Sequence, residues 1–409
     1  MMLKKIESFL VYVLLILIIL EFNTPYGLFL IMAATFLPVL VLALLILLNV
    51  ARTKPDYGLV CLMIVGSVLP LLNVVEEGRG SFIRLFWMVL PLLTVYLIIK
   101  IKQKGLYGVK DILFKFSNII VIEALISLFF WLLGSQLEII PYTALIPNSW
   151  QGERFIPTWF GLYFETQDTM VGSDALTSVI RNSGCFNEAP MHNMVLSTAL
   201  AIELFLRKPI EKRRIVILVI TVVSTLTTTG YLLMLMMLLL KIYPYIDNQK
   251  KVWVILLMPV VLLICFFAVN AIIENQKNTR ETSYNSRSGD IMKCIEVGMQ
   301  NPLLGVGLFH KWEEGGSSQN NYGYSNSLFT IFAHGGIYTE ILYVFSLFLA
   351  PFLFYRKARD PSIFLFFLCY FVLFSFTVSW QRYMTLLFMA IGIALWDVYI
   401  LNRKKLNIH

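Results

Sequence analysis

The strongest constraint on this chain is a succession of apolar runs at approximately 6–22, 26–50, 57–75, 82–99, 112–134, 189–206, 215–243, 252–272, 326–355, 363–379 and 384–401. Most approach the ~20 residues that a helix needs to cross the hydrocarbon of a bilayer. Lipid offers no water to backbone polar groups, so each crossing segment must satisfy its own N–H and C=O groups. Runs this long exclude barrel strands and leave helices. Composition agrees: 58% of the 409 residues are hydrophobic and 14% are charged, against about 25% charged in soluble domains. A water-soluble fold could not cover so much apolar side chain, so lipid is the expected solvent. The expected fold class is an all-α polytopic membrane protein.

The formal net charge of +8 raises the question of a nucleic-acid partner. The basic residues sit in short clusters between apolar runs instead of on one folded face, which excludes that partner and makes them topological signals. With the N-terminus in the cytoplasm, 23 of the 33 Lys and Arg fall on inside segments, although the outside segments are much longer. Both termini are then expected in the cytoplasm. Met1 to Glu7 leads into an apolar run without a small-residue cleavage site, which reads as a retained first span. Cys185 and Cys294 lie in polar loops without framework spacing, and the four histidines form no metal-ligand pattern.

Residues 215–243 would make a single helix of about 43 Å, yet basic clusters flank the run at 207–214 and 250–251. A single span would export one of them. Thr227-Thr228-Thr229-Gly230 lies in the middle, where β-branched residues and glycine weaken a helix. Two short helices with a break at Thr228–Gly230 are therefore expected, bringing the number of crossings to about 12. Broken helices at membrane depth are tolerated only where they are buried or line a cavity, so the break points to a site.

The expected organisation is a five-helix membrane region over 1–134, a first extracytoplasmic loop over 135–188 and membrane helices with the broken pair over 189–272. A second extracytoplasmic loop over 273–325 and a three-helix membrane region over 326–409 follow. The first loop is rich in aromatics (Trp150, Phe155, Trp159, Phe160, Tyr163, Phe164), as in an interfacial belt or a sugar-stacking surface. It ends in Arg181-Asn-Ser-Gly184-Cys-Phe186-Asn-Glu188-Ala-Pro190-Met-His192. An arginine there lies near the bilayer surface, where its planar fork suits the phosphates of a headgroup or diphosphate, or pairs with Glu188 to shape the loop. The second loop carries Arg280 and Ser286-Arg287, then an amphipathic helix over Asp290–Met299 with Ile291, Met292, Ile295 and Met299 on one face. Asn301-Pro302-Leu-Leu-Gly305-Val-Gly307 ends it, the glycines permitting tight turns or close backbone approach.

Taken in order, these motifs, with the break at Leu226-Thr-Thr-Thr-Gly230 and Asn326-x-x-Phe329-x-x-Phe332-x-x-x-Gly336, resemble the bacterial polysaccharide polymerases of the Wzy type and the related O-antigen ligases. The resemblance covers roughly residues 180–340. It implies an integral-membrane glycosyltransferase of GT-C-like architecture in the cytoplasmic membrane, with its active site facing outward. The implied donor is a glycan on undecaprenyl diphosphate, and the acceptor is a second lipid-linked repeat unit or, in a ligase, lipid A–core. A chain-length regulator is an implied partner. The resemblance implies no metal or other cofactor, because arginines replace magnesium. Arg181 and Arg287 match those positions, with Arg280 as a third. A departing diphosphate develops charge that preorganised cations stabilise.

A base must also take the acceptor's proton. Glu188, seven residues after Arg181, is the first candidate, and His192 the second. Three positions depart from the family: Thr228, where an arginine often stands; Ser325, where a histidine commonly precedes the asparagine; and His334, where an acid is frequent. The missing histidine, a candidate base in ligases, favours a polymerase. Non-enzymatic transport is the remaining alternative. Few ionisable residues (Glu123, Glu203, Glu340, Asp397) lie inside the runs, and the polar motifs gather in outward loops, which favours surface chemistry.

Overall fold

The computed structural model describes residues 2–26, 31–50, 80–148, 154–167, 180–243, 281–308 and 326–401. The expected spans at 57–75 and 252–272, and Arg280, lie outside them. The chain forms two compact units: the first takes residues 1–22, 29–115 and 285–409, and the second takes 23–28 and 116–284.

The elements are α1 (Met2–Glu21), α2 (Ile31–Val50), α3 (Gly80–Lys104), α4 (Leu106–Phe130), β1 (Ala144–Asn148), β2 (Arg154–Trp159) and β3 (Tyr163–Phe164). Then follow α5 (Ala189–Ala201), α6 (Lys212–Ser224), α7 (Thr228–Ile242), α8 (Glu281–Gln300), α9 (Ser327–Val344), α10 (Ala350–Ala358), α11 (Pro361–Phe376) and α12 (Tyr383–Leu401). Single wide turns of π-helix extend α4 over Trp131–Gln136 and α5 over Ile202–Leu206, and join α9 to α10 over Phe345–Leu349. The continuous helices Leu106–Gln136, Ala189–Leu206 and Ser327–Ala358 are long and apolar enough to cross a membrane. Shorter apolar helices cover Phe36–Asn49, Thr228–Ile242, Pro361–Phe376 and Tyr383–Val398. A mostly helical chain with these segments is consistent with a polytopic membrane protein.

In the first unit, α3 packs along α2 and α12, and α1 lies against α2. α12 also runs along α10 and the π-turn before it, where Gly392 admits the Ser346 carbonyl so closely that a Cβ would collide with it. The chain between α11 and α12 is held by hydrogen bonds. Tyr343 donates to the Trp380 carbonyl at 2.7 Å, and the Ser379 N–H donates to Ser327 Oγ at 2.9 Å. Arg382 reaches Glu21 on α1 at 3.3 Å.

In the second unit, α5 is buried from Met191 to Leu206 and is flanked by α6 and α7. Glu203, at 0% exposure, is held by Arg207 (2.8 Å), Arg214 (2.9 Å) and the Ser117 hydroxyl. The acid inside this apolar run is therefore the counter-ion of the basic cluster that follows it.

The expectation of a purely helical chain is corrected in the first long loop. The strands β1, β2 and β3 form a three-stranded antiparallel sheet in that order, with Ile146 opposite Ile156 and Thr158 opposite Phe164. Phe160 and Gly161, both at positive φ, reverse the chain between β2 and β3. Trp159 and Tyr163 bury against Phe130, and the Trp159 indole donates to the Ile140 carbonyl at 2.9 Å. Gly134 leaves room for that indole. Several of the aromatics are thus the core of a small sheet, while Phe155 and Phe160 remain exposed. Strands of five and six residues, each carrying one proline, give too weak an alternation to read in sequence.

Candidate functional site

Two of the four sequence motifs meet in the second unit. Residues 180–188 form a turn that is buried from Asn182 to Asn187 and half-buried at its ends. The Ile180 carbonyl accepts from Trp131 Nε1 (2.7 Å) and Gln136 Nε2 (2.8 Å) on the π-turn of α4. The Asn182 side chain donates to Ser224 Oγ at 2.9 Å, and its backbone N–H donates to the Ser224 carbonyl at 3.1 Å. Arg181 Nε donates to the Thr225 carbonyl at 3.1 Å. Two hydrogen bonds then hold the turn on β3, from Phe164 N–H to the Gly184 carbonyl and from Ser183 Oγ to the Phe164 carbonyl. Two more, from Gly184 N–H to Asn182 Oδ1 and from Phe186 N–H to the Ser183 carbonyl, close the turn on itself.

The helix break lies directly under this turn. α6 stops at Ser224 and α7 begins at Thr228, so the interruption falls at Thr225–Thr227, just before the expected Thr228–Gly230. Thr225 turns its hydroxyl back to the Val222 carbonyl (2.7 Å), lies 3.0 Å from the Thr227 hydroxyl, and is followed by Leu226 at positive φ. Thr228, Thr229 and Gly230 fit the first turn of α7, where backbone N–H groups have no intrahelical partner in any case. Gly230 keeps α5 close: a Cβ there would strike the Asn193 and Thr227 side chains.

His192 sits on the first turns of α5 at 0% exposure and stacks on Phe186, centroids 5.4 Å apart. Its Nδ1 lies 3.1 Å from the Asn182 carbonyl, and its Nε2 lies 3.0 Å from Glu123 Oε2 on α4. Nδ1 is placed to donate to that carbonyl, and Nε2 and Glu123 Oε2 are hydrogen-bonded to each other. Glu123 Oε1 receives the Cys185 N–H at 3.4 Å. Gly184, at positive φ, is the only residue type that fits there, since a Cβ would strike both Glu123 and His192. Burial, with the Glu123 carboxylate beside it, pushes the Cys185 thiol well above its ordinary value, so it is a protonated packing group. Glu188 is half-buried at the N-cap of α5, where its carbonyl accepts from the Met191 and His192 N–H groups at 3.1 Å. Glu123, the partner that sequence reasoning did not connect, carried one usable signal: an ionisable residue inside an apolar run.

The other two motifs meet in the first unit. α8 spans Glu281–Gln300, so the helix starts nine residues before the expected Asp290 and Arg287 lies on it, not in a loop. Ser286, Ser288 and Gly289, weak helix formers, hid this start. The buried face is also a different one: Asp290, Cys294 and Val297 turn inward, while Met292 and Met299 are exposed. Cys294 and Val297 pack on Ala333, Phe329 and Val306. The Asn301–Gly307 segment then pairs with the middle of α9. Val306 N donates to the Ala333 carbonyl and Gly307 N to that of His334, both at 3.0 Å. In return, Ile337 N donates to the Pro302 carbonyl (2.9 Å) and Tyr338 N to that of Leu303 (3.2 Å). Gly336 breaks α9 at φ 60°. A Cβ on Gly305 would enter the His334 backbone, and one on Gly336 would enter that of Leu303. His334 is buried, with Nδ1 3.0 Å from the Gly307 carbonyl and its ring stacked on Trp380.

With this geometry in place, residues 215–344 match the family model described as O-antigen ligase. That stretch runs from α6 to the end of α9, containing the helix break, α8 and the interlocked glycines. Arg181, Glu188 and His192 precede it. No curated protein and no solved structure gives a significant match. The match covers 130 of the 409 residues and likens that stretch to the O-antigen ligase family, and the apolar helices are consistent with a membrane protein.

Proposed function

We propose that the protein polymerises undecaprenyl-diphosphate-linked oligosaccharide repeat units at the outer face of the bacterial cytoplasmic membrane, crossing it about 12 times with both ends inside. The observation that carries this reading is the tie between Arg181 and the helix break. Its Nε hydrogen bond to the Thr225 carbonyl (3.1 Å) fixes a cation beside an interrupted helix. A fixed cation costs no reorganisation when the leaving diphosphate develops charge. Arg287 and Arg280 act with it on that diphosphate, and no metal is needed. Glu188 takes the acceptor hydroxyl's proton. His192, enclosed between Asn182 and Glu123, holds the Arg181 turn in place so that the base and the cation keep their spacing.

A ligase is the second reading, favoured by the description of the matching family. It shares the diphosphate chemistry and differs in acceptor. Ser325, in the position of the family's histidine, favours the polymerase.

The test is complementation in the native host lacking this protein, with wild type, Arg181→Ala and Arg287→Ala at checked expression. Lipid-linked and surface glycans are sized on a gel. Wild type gives a ladder of repeats, and both variants collapse to one unit. Normal ladders from both variants overturn the arginine assignment. Long lipid-linked chains that fail to reach the surface acceptor in the deletion strain identify a ligase.

A further inference from the structure

A polar crevice opens in the first unit, far in sequence from every motif above. It encloses about 40 Å³ and is lined by Lys4, Glu7, Ser8 and Val11 of α1, Tyr96, Lys100 and Lys104 of α3, and Asp111 and Lys115 of α4. A single water needs roughly 10–15 Å³ of such space, so the crevice suits a small polar group of a few heavy atoms.

The lining is unbalanced in charge. Lys100 pairs with Glu7, both nearly buried, and Lys115 pairs with Asp111. Those two carboxylates stand against four lysines, leaving an excess of positive charge. One more group lacks an explanation. The Tyr96 side chain is 1% exposed, and among the described residues nothing accepts from or donates to its hydroxyl. A buried hydroxyl without a partner is costly, so such groups are normally met by a ligand or water. A hydroxyl donor beside several ammonium groups complements an oxyanion and repels a cation.

We propose that this crevice binds a phosphate group, carried by an anionic lipid headgroup or free. The basic ends of α1, α3 and α4 are those expected at the cytoplasmic surface, where anionic lipids collect and where basic pockets between helices hold their headgroups. The proposal does not depend on the glycosyl-transfer reading.

The test uses the full chain purified in detergent, with thermal unfolding followed during titration. The probes are mixed micelles of phosphatidylglycerol, micelles of phosphatidylcholine, and inorganic phosphate at constant ionic strength. Tyr96→Phe and Lys104→Ala remove one donor and one exposed charge from the crevice. Lys102→Ala removes a neighbouring exposed charge outside it. A lipid site gives a rise in midpoint with phosphatidylglycerol alone, and Tyr96→Phe and Lys104→Ala, but not Lys102→Ala, need about tenfold more ligand. The same pattern with inorganic phosphate assigns the free ion instead. No rise with either phosphate source overturns the site, as does equal behaviour of all three variants and wild type, or Lys102→Ala weakening binding as much as Lys104→Ala.

Discussion

The Nε–H of Arg181 donates to the carbonyl of Thr225 at 3.1 Å, joining the end of the first long loop to the break between α6 and α7. The break exposes backbone carbonyls that a continuous helix would have used, and a cation is a strong partner for one of them. Loop and break thus stabilise each other.

This relationship predicts that Arg181→Lys does not rescue Arg181→Ala. Lysine keeps the charge but loses the planar fork that can bond a carbonyl and hold its orientation. Repeat-unit transfer measured on isolated membranes should fall by about tenfold or more in Arg181→Lys, with the protein level unchanged. Wild-type transfer by the lysine variant would show that charge alone suffices.

The Glu123–His192 pair should behave as one unit. Removing either partner leaves a polar group unsatisfied in a site of little solvent access, at a cost of about 1–3 kcal/mol. Glu123→Ala and His192→Ala should each lower the unfolding midpoint in detergent. The double variant should cost clearly less than the sum, by roughly 1–3 kcal/mol. Additive losses would mean that the 3.0 Å contact contributes no coupling.

Glycine replacements separate propensity from packing. Alanine is favoured over glycine inside a helix by about 1 kcal/mol. Gly230→Ala in the first turn of α7 should nonetheless destabilise the protein, because its Cβ meets Asn193 and Thr227. The readout is the thermal midpoint. A stabilised Gly230→Ala would show that α5 and α7 can separate without loss.

Cys185 should resist maleimide in the folded protein and react on unfolding. Its thiol is raised well above its ordinary value of 9.0 by burial, so the folded state holds the proton more tightly than the unfolded one. The stability it lends is therefore complete below that ordinary value and declines as pH climbs past it. Rapid labelling of native protein at neutral pH would refute the enclosure of the 180–188 turn.

Much of this architecture was legible in the sequence because lipid imposes long apolar runs, and because Thr227-Thr-Thr-Gly230 is a poor helix centre. Close backbone approach at Gly305 was legible as something its motif permits, but not the segment that makes the approach, because the His334 backbone lies some thirty residues away. The small sheet was not legible: its inward residues, Ile156 and Thr158, alternate over too short a stretch. The inward face of α8 was misread for a related reason. Asp290 and Cys294 are buried by neighbours of α8, whereas hydropathy favoured Met292 and Met299.

The mutual fit of Gly305 and Gly336 makes α8 and the far half of α9 behave like meshed gears. Gly305 leaves room for the His334 backbone and Gly336 for that of Leu303, and backbone hydrogen bonds hold the teeth in register. A tilt of α8 must therefore be passed to α9 at its break, where the chain can already swivel. Drift at either glycine jams the mesh, so natural replacements at these two positions should occur rarely and never singly.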